Sequence, residues 1–510
     1  MSQHTLYRWF ARSAERYPDR SALEVGDDEL TYAQLRGRAE ALAARIVAVH
    51  GARPARVALV ASRTVGAYVG HLAIQRLGAG VLPLNPEHPQ QRNLDVAQRA
   101  RVAVALVEPG SAELFDAFPR RRRPTVLTLE GLEEGPGPDG ELPADLSADA
   151  YLLFTSGSTG RPKGVPIKQR NIGRYIGHNI ARYEVGPGSR LSQTFGLTFD
   201  ASISDMFVSW GAAATCVVLN RADLYRPVDF IAERRLTHWH SVPSVIRVAQ
   251  QLGNLPTGRI STLRHSLFGA EAVTAKDMSL WRSVAPGTAI HNLYGPTETT
   301  ITCTDYTLPG DEAAWPRMTN GTLPIGEVYP YLEAVMLGAD GRPTDDGELC
   351  LRGEQRFDGY LDPAENVGRF VSWEPGGDAR IFDGTESLSD GHWYRTGDRV
   401  RREDGFWVHA GRLDSQVKVM GHRIELGEVE AVLHRHPGVL DAAVVAALVE
   451  GETRLLGAYA GQPVPADQFE SWLRERLPVH MIPARLRHVE SMPLNDSGKI
   501  DRRALRSLLA

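Results

Sequence analysis

The sequence contains few cysteines and no long apolar segment. Its 510 residues include only three cysteines, Cys216, Cys303 and Cys350. Because they are odd in number, widely spaced and form no Cys-x-x-Cys pair, they predict neither a disulfide framework nor a zinc site. No apolar run reaches the roughly 18 residues that span a bilayer, and the segment before Arg12 lacks the apolar core of a secretion signal. We therefore expect a cytoplasmic protein with no membrane partner.

Excess positive charge is also absent. The chain has 57 basic and 62 acidic side chains, which gives a formal net charge of -5. This balance provides no overall positive field that would attract nucleic acid, so we expect no nucleic-acid partner. Only five basic residues are lysines: Lys163, Lys168, Lys276, Lys418 and Lys499. Because arginine and lysine are not interchangeable at a tight phosphate or carboxylate site, these lysines are candidate functional residues.

The length and the periodicity of the chain predict a multidomain α/β protein. A chain of 510 residues with 42% apolar and 23% charged residues is long enough for two or more globular domains. Residues 31–46 have helical periodicity with a Thr31/Gln34 capping box, and Gly51 would end that helix. Short apolar runs at 57–61 and 102–107 alternate with helical segments, which indicates a parallel sheet. A compact α+β pattern begins near residue 424, so we place the domains at 1–413 and 414–510.

The strongest chemical motif follows an apolar strand at residues 151–154. It is a loop of glycines and hydroxyl residues with a lysine: Thr155-Ser156-Gly157-Ser158-Thr159-Gly160-Arg161-Pro162-Lys163-Gly164. Glycines let backbone N–H groups approach an oxyanion, the hydroxyls add donors and Lys163 adds charge, so the loop is a candidate nucleotide-phosphate site. Pro162 and Gly164 flank the lysine, which excludes a Walker loop. A polar linker is the alternative interpretation.

Several further motifs accompany this loop along the chain. In chain order they are Leu77-Gly78-Ala79-Gly80, Phe199-Asp200-Ala201-Ser202, Asn292-Leu293-Tyr294-Gly295-Pro296-Thr297-Glu298, Tyr394-Arg395-Thr396-Gly397-Asp398, Gly411-Arg412-Leu413-Asp414, Gly421-His422-Arg423-Ile424-Glu425 and Asn495-Asp496-Ser497-Gly498-Lys499. Their order and spacing resemble the adenylate-forming enzyme superfamily over nearly the whole chain. Within it, the chain is similar to stand-alone amino acid adenylation enzymes of nonribosomal peptide biosynthesis and to D-alanine–carrier protein ligases. The resemblance implies a large N-terminal α/β region of several subdomains and a small, mobile α+β C-terminal domain.

The same resemblance implies that ATP and Mg²⁺ are used to convert a carboxylic acid into an acyl-adenylate. Lys163 and the hydroxyl loop would bind phosphates, Lys499 would bridge the carboxylate and the nucleotide, and Glu298, beside Thr297, would hold Mg²⁺. The other implied nucleotide-binding positions are Gly269, Ala270, Glu271, Asn292, Tyr294, Gly295, Asp398 and Arg412. Among these, Asp398 would accept from the ribose hydroxyls, Tyr294 would face the adenine ring and Asn292 would bind its edge. Without the motifs around them, the alternative interpretations would be that Glu298 is an acidic surface residue and that Asp398 is a turn residue.

Asp200 indicates which class of carboxylic acid is activated. The family's amino acid enzymes carry aspartate here to pair with the substrate ammonium, and Asp200 and Lys499 at opposite ends of one pocket suit a zwitterion. The alternative is that Asp200 caps the following helix. The implied pocket also includes Phe199, Ala201, Ser204, Ser241, Leu267, Gly269, Leu293, Ile301 and Thr302. None of these carries a charge, so we expect a small or medium neutral α- or β-amino acid. Gly269, where D-alanine ligases usually carry cysteine, would leave additional room.

The C-terminal domain would serve the second half of the reaction. The resemblance implies rotation about Asp414, which presents Lys499 for adenylation and then a Gly421 loop for passage of a phosphopantetheine thiol. Because the sequence ends eleven residues after Lys499, we expect a separate carrier protein to supply that thiol. An acyl-CoA ligase and a noncatalytic nucleotide-binding regulator are the alternatives, and a kinase or Walker ATPase would instead release ADP.

Overall fold

The computed structural model describes residues 4–157, 162–414, 416–449, 452–493 and 500–509. Its helices are α1 (Leu6–Arg16), α2 (Tyr32–His50), α3 (Val65–Arg76), α4 (Gln90–Ala100), α5 (Gln169–Arg182), α6 (Ala201–Gly211), α7 (Pro227–Glu233), α8 (Ser244–Gln251), α9 (Ala275–Val284), α10 (Leu426–Leu433), α11 (Ala466–Arg474) and α12 (Arg502–Leu509). None of the helices in these ranges combines the length and apolar content needed to cross a bilayer.

The strands lie between and after these helices. They are β1 (Ser21–Val25), β2 (Asp28–Thr31), β3 (Arg56–Val60), β4 (Gly80–Leu84), β5 (Val104–Val107), β6 (Thr125–Thr128), β7 (Asp149–Thr155), β8 (Lys163–Lys168), β9 (Arg190–Gln193), β10 (Thr215–Val218), β11 (His238–Ser241), β12 (His265–Phe268), β13 (Ala289–Tyr294), β14 (Thr304–Thr307), β15 (Glu327–Val328), β16 (Leu332–Leu337), β17 (Asp346–Gly353), β18 (Phe370–Ser372), β19 (Arg380–Ile381), β20 (Trp393–Glu403), β21 (Phe406–Arg412), β22 (Gln416–Val419), β23 (His422–Glu425), β24 (Val439–Val449), β25 (Glu452–Gly461) and β26 (Arg485–Val489).

The chain forms two compact units. The larger contains Met1–Asn85, Ala97–Leu153 and Gly164–Gly411, and the smaller contains Pro86–Val96, Phe154–Lys163 and Arg412–Ala510. The predicted α/β fold, with a large N-terminal part and a small C-terminal part, is confirmed.

The start of the fold follows from local sequence signals. The Thr31 hydroxyl accepts a hydrogen bond from Gln34 N at 3.2 Å, and the Gln34 side chain accepts one from Thr31 N at 2.9 Å. This capping box begins α2, and Gly51, with a φ of 83°, ends it. Strands β3, β4, β5 and β6 pair in parallel within a sheet ordered β6-β5-β3-β4-β7-β8. The predicted capping box, helix end and parallel sheet are therefore all present.

A nine-stranded sheet positions most of the candidate site. Its order is β15-β14-β13-β12-β11-β9-β10-β1-β2. The neighbours from β13 through β1 pair in parallel, whereas β14, β15 and β2 are antiparallel. The ring of Trp239, on β11, stacks on that of Trp281, on α9, with centroids 5.9 Å apart, and both side chains are fully buried. This rigid core fixes the parallel strand ends from which ligand-binding residues project.

The remaining sheets are antiparallel or small. Strands β16-β17-β20-β18-β19 form a sheet in which β21 also pairs with β20. In the smaller unit, β22 and β23 form a hairpin around Met420 and Gly421, whose φ values of 48° and 78° are typical of a type I′ turn. The sheet β24-β25-β26 completes that unit, with Val429, Leu433 and Phe469 in its core.

Candidate active site

Three predicted site positions lie at one edge of the nine-stranded sheet. Ser241 is the last residue of β11, Gly269 follows the last residue of β12, and Tyr294 is the last residue of β13. These strands are adjacent and parallel. Their carboxyl ends therefore meet at one edge, which is where open α/β sheets bind ligands.

Tyr294 and Asp398 form the polar centre of this region. Asp398 is 2% exposed, and its Oδ2 accepts a hydrogen bond from the Tyr294 hydroxyl at 2.6 Å. On its other side, His409 Nε2 lies 3.1 Å from Asp398 Oδ1. Burial, and then the Asp398 carboxylate, raises the pKa of Tyr294 well above its usual value, so the hydroxyl remains a donor. Because each carboxylate oxygen has two lone pairs, Asp398 can still accept bonds from vicinal hydroxyls.

Two other implied nucleotide-binding side chains bind the protein itself. Asn292 Nδ2 donates to the carbonyl oxygen of Pro324 at 2.7 Å. The Glu271 carboxylate accepts from Ser244 N at 3.0 Å, at the start of α8, and from Arg247 at 3.1 Å. The Asn292 amide oxygen is therefore the group that could accept a bond from an adenine amino group, whereas the Glu271 side chain caps a helix.

Gly269 permits a close approach of two backbone segments. A Cβ at this position would lie 2.9 Å from Leu293 O and 3.1 Å from Leu293 Cβ. The interpretation that glycine leaves substrate room here needs revision, because the first atom of any side chain would meet Leu293. Ala270, which follows, has a left-handed φ of 62°. The Ser241 hydroxyl accepts a bond from Trp239 Nε1 at 2.9 Å, so it also supports the strand ends.

A strained turn follows β13. Thr300 and Ile301 have φ values of 60° and 74°, which β-branched residues rarely adopt. Gln355 is fully buried, and its Nε2 donates to the carbonyl oxygens of Thr299 at 2.6 Å, Thr300 at 2.9 Å and Thr302. Strain of this kind persists only where the surroundings over-determine the backbone, and Gln355 provides that constraint. It thereby positions the predicted pocket residues Ile301 and Thr302.

Glu298 lies just before this turn, in a single 3-10 turn at Thr297–Thr299. Its carboxylate is buried, and Oε1 accepts a bond from the Tyr360 hydroxyl at 2.8 Å. Gly295 is also packed tightly, since a Cβ there would lie 2.5 Å from Thr302 Cα. Among the described residues no group of three or more potential ligands forms a metal cage. A single carboxylate nevertheless fits Mg²⁺, which proteins commonly bind through one or two carboxylates together with substrate phosphates.

Asp200 lies at the start of α6 without acting as its side-chain cap. Its backbone is helical and its side chain makes no capping hydrogen bond, so the helix-cap alternative is not supported. Burial, and then the Asp200 carboxylate, raises the pKa of Tyr151 well above its usual value. The adjacent Phe199 ring stacks on Phe195, with centroids 6.1 Å apart. Asp200 therefore places a negative charge close to a buried, largely apolar wall.

The predicted side-chain pocket is formed of buried residues. These are Ala201, Ser204, Ser241, Leu267, Leu293, Ile301 and Thr302. Two of them are joined by a tyrosine from α5, because the Tyr175 hydroxyl lies 3.2 Å from Ser204 Oγ and accepts from Thr302 Oγ1 at 3.3 Å. The Thr302 hydroxyl also lies 2.8 Å from the Tyr329 hydroxyl. Hydrogen bonds thus connect the hydroxyl groups of Ser204, Tyr175, Thr302 and Tyr329 in one chain.

Ser204 and Leu267 also line a small cavity. Its volume is about 30 Å³, and its wall also contains Asp205 and His240. His240 Nδ1 lies 2.8 Å from Asp205 Oδ1. Burial raises the pKa of Asp205, and the neighbouring His240 lowers it. The Asp205 carboxyl group thus has a hydrogen-bond partner in the His240 ring, and the cavity is large enough for about one water molecule.

The smaller unit carries the start of the phosphate-loop motif. Thr155 ends β7, Gly157 is buried, and Lys163, which is 8% exposed, begins β8. Ser156 Oγ donates to the carbonyl oxygen of Arg423 at 2.9 Å. Ser158, Thr159, Gly160 and Lys499 lie outside the described residues.

The implied hinge residue is held by an ion pair. Arg412 Nε and Nη2 donate to the two carboxylate oxygens of Asp414 at 2.7 and 2.8 Å. The predicted ribose role of Arg412 and the hinge role of Asp414 stay predictions.

Sequence reasoning missed three residues that organise this site: Tyr175, Gln355 and Tyr360. Each reaches the site from a segment far away in sequence. No local sequence pattern predicts the hydrogen-bond partners of a buried glutamine or tyrosine. Gln355 stands between the charged residues Glu354 and Arg356, so its sequence neighbourhood gives no sign that it is buried.

Comparison with known proteins supplies the family. The family model described as "AMP-binding enzyme" matches residues 10–361, and the model of the AMP-binding enzyme C-terminal domain matches residues 428–499. A linear gramicidin synthase of Brevibacillus parabrevis is 33% identical over 99% of this chain, which corresponds to 6% of that protein. Phosphinothricin tripeptide synthetase PhsC of Streptomyces viridochromogenes is 34% identical over 99% of the chain and 45% of its own length. The chain thus spans less than half the length of these two relatives.

Solved structures show the same similarity. The crystal structure of IdnL7 is 35% identical with a TM-score of 0.72, and the alignment covers 99% of both chains. The Vibrio cholerae adenylation domain AlmE, solved in complex with glycyl-adenosine-5'-phosphate, has a TM-score of 0.82 at 24% identity, covering 100% of this chain and 98% of that chain. The AlmE likeness supports the fold. With its main and C-terminal family models both matched, this chain belongs to the AMP-binding enzyme family and is related in sequence to nonribosomal peptide synthetases.

Proposed function

We propose that this protein activates a small or medium neutral amino acid with ATP and transfers it to the phosphopantetheine thiol of a separate carrier protein. In the first step a carboxylate oxygen attacks the α-phosphorus of ATP, and pyrophosphate leaves. In the second step the thiolate attacks the aminoacyl carbonyl carbon, and AMP leaves. The names of the relatives, which are peptide synthetases, support this reaction class.

The observation that carries the amino acid assignment is the placement of Asp200. Its carboxylate lies at the start of α6, makes no capping bond, and is close enough to influence the buried Tyr151 and Tyr175 hydroxyls. A substrate ammonium would make a charge-assisted hydrogen bond with this carboxylate. The implied pocket walls carry no further charge, so a charged substrate side chain would lose hydration without gaining a partner. This favours a neutral side chain.

The nucleotide would lie on the edge formed by β12 and β13. The Tyr294 and Asp398 pair suits the nucleoside, with Asp398 accepting from the ribose hydroxyls. Glu298 would hold Mg²⁺, which when bound neutralises charge on the phosphates during in-line transfer. Tyr360 orients that carboxylate through its hydroxyl.

The smaller unit would act in both steps. Lys499 would contact the substrate carboxylate and the nucleotide during adenylation, and the Met420–Gly421 turn would lie beside the thiol arm during transfer. Rotation near Asp414 would exchange the two arrangements. Support comes from the family match of this region and from the left-handed Gly421 turn, where the backbone can pass close to a ligand.

An acyl-CoA ligase and a nucleotide-binding regulator remain the competing functions, and one experiment separates them. Amino-acid-dependent ATP/pyrophosphate exchange should be measured across a panel of α- and β-amino acids, beside a panel of fatty and aryl acids. We expect exchange with small neutral amino acids, and at least a tenfold loss in Asp200→Asn because a charged hydrogen bond is removed, worth about 1.5 to 3 kcal/mol. Asp345→Asn, at a side chain that is 80% exposed, is the matched control. Exchange with fatty acids alone, or none with any acid, would reject the proposal.

A further inference from the structure

Tyr175 connects two walls of the implied side-chain pocket. It lies in the middle of α5 and is 1% exposed. Its hydroxyl lies 3.2 Å from Ser204 Oγ on α6 and accepts from Thr302 Oγ1, on the strained turn, at 3.3 Å. Thr302 is fixed in turn by its bond with the Tyr329 hydroxyl. A phenol ring held from two sides cannot swing away without breaking buried hydrogen bonds, and such bonds are costly to leave unmade.

The same hydroxyl lies within electrostatic reach of Asp200. Burial raises the pKa of Tyr175, the hydrogen bonds with Ser204 and Thr302 lower it, and the Asp200 carboxylate raises it. The Tyr175 hydroxyl thus contacts the proposed side-chain walls at Ser204 and Thr302, and the carboxylate proposed for the substrate ammonium acts on it electrostatically. A side chain extending from a substrate held at Asp200 would have to share this region with the ring.

The adjoining cavity provides no room for a bulky group. It is lined in part by Ser204 and Leu267, its volume is about 30 Å³, and the hydrogen-bonded Asp205 and His240 also line it. That volume suits about one water molecule. A branched apolar side chain entering it would also desolvate the polar pair, which is unfavourable.

We infer that Tyr175 closes the far end of the side-chain pocket and restricts the substrate to amino acids with small neutral side chains, of about the size of alanine, serine or threonine. This inference rests on the proposed function and deepens it. The size limit is set by a residue on α5, outside the segments whose motifs identify the site. Its rigidity comes from the two hydroxyl partners.

The test compares two amino acids within each variant, so that a general loss of folded protein cancels. The ratio of kcat/KM for leucine to that for alanine in pyrophosphate exchange should rise about tenfold or more in Tyr175→Leu. The space left by the ring would accept the additional carbons of leucine, and a single methylene in a pocket is already worth about tenfold or more. In Tyr175→Phe, which keeps the ring but loses its two hydroxyl partners, the ratio should rise by less than in Tyr175→Leu, because the ring still occupies the space. Tyr32→Leu is the matched control, because Tyr32 is another fully buried helix tyrosine with a bonded hydroxyl, 2.7 Å from Ala214 O. Its ratio should equal that of wild type.

An unchanged ratio in an active Tyr175→Leu enzyme would overturn the inference, as would an equal rise in Tyr32→Leu. If Tyr175→Leu does not unfold cooperatively, Tyr175→Met carries the same test, because methionine fills irregular gaps. A failure of the proposed function would give a different result, because the wild-type protein itself would then show no pyrophosphate exchange with any amino acid. Wild-type exchange with alanine, together with an unchanged ratio, would leave the proposed function standing and remove only the role of Tyr175.

Discussion

Replacing Gln355 should damage amino acid binding from outside the pocket. The Gln355 amide group donates to three turn carbonyls, and its Oε1 accepts from the Tyr331 hydroxyl at 2.8 Å. Gln355→Met keeps nearly the same volume and removes all of these bonds. Buried carbonyls left without donors cost about 1 to 3 kcal/mol each, and the losses overlap because they share one turn. We therefore expect the free energy of unfolding to fall by about 2 to 4 kcal/mol.

The functional consequence should be selective. Without Gln355 the left-handed Thr300 and Ile301 can relax, since each such conformation stores about 1 to 3 kcal/mol of strain. Relaxation would move Ile301 and Thr302, so the KM for the amino acid should rise by about tenfold or more, whereas the KM for ATP should change by less than about threefold. Chemical denaturation and pyrophosphate exchange measure the two effects.

A second buried glutamine provides the control. Gln75, on α3, is also fully buried, and its Nε2 donates at 2.6 Å to the carbonyl oxygen of Ala150 on β7, a strand of the other large sheet. Gln75→Met should lower stability without changing either KM. If Gln355→Met loses stability but keeps the wild-type amino acid KM, as Gln75→Met should, then the turn does not depend on Gln355 for its active shape and the reasoning is refuted.

Three further predictions address the nucleotide, acid stability and the two half-reactions. Tyr294→Phe removes the donor to Asp398 and should raise the KM for ATP by roughly tenfold; an unchanged ATP KM with an altered amino acid KM would contradict the nucleoside assignment. Burial lowers the pKa of His71 from 6.5 to about 3. Because His71 is protonated at a higher pH in the unfolded state than in the folded state, its contribution to the free energy of unfolding is lost as pH falls below 6.5, by about 2 kcal/mol between pH 7 and 5. Denaturation curves of His71→Leu should show a smaller decrease in the free energy of unfolding over that interval, and a decrease identical to that of wild type would contradict the assignment to His71. The Lys499→Ala variant should lose pyrophosphate exchange but still transfer the aminoacyl group of supplied aminoacyl-adenylate to the carrier. The Gly421→Leu variant should keep pyrophosphate exchange but fail to load the carrier. Equal losses in both assays for both variants would reject the role of the smaller unit in two separate steps.

The sequence predicted the elements whose signals are local. The capping box at Thr31 and Gln34, the helix end at Gly51 and the alternation that forms the parallel sheets all depend on neighbours within a few positions. The segment containing Tyr294 was likewise recognisable as a motif, because its residues act together along one short stretch of chain.

The contacts that shape the pocket were not predictable in this way. Gln355 meets its turn across more than fifty residues of chain, and Tyr175 meets Thr302 across 127 residues. The meaning of Gly269 depends on Leu293, which approaches it from the next strand. Such contacts are decided by strand order and backbone distance, which a single sequence does not encode in any local pattern.

The order of the nine-stranded sheet has a consequence for synthesis on the ribosome. Strand β1 pairs in parallel with β10, for example at Leu23 and Cys216, although about 190 residues separate them. At roughly 5 to 20 residues per second, β1 waits about 10 to 40 seconds for its partner. During that interval its apolar face and its unpaired backbone edge are accessible to other chains. The β1 segment therefore emerges long before its sheet can form, and its protection by a chaperone should influence the yield of native enzyme more than the intrinsic stability of the finished sheet.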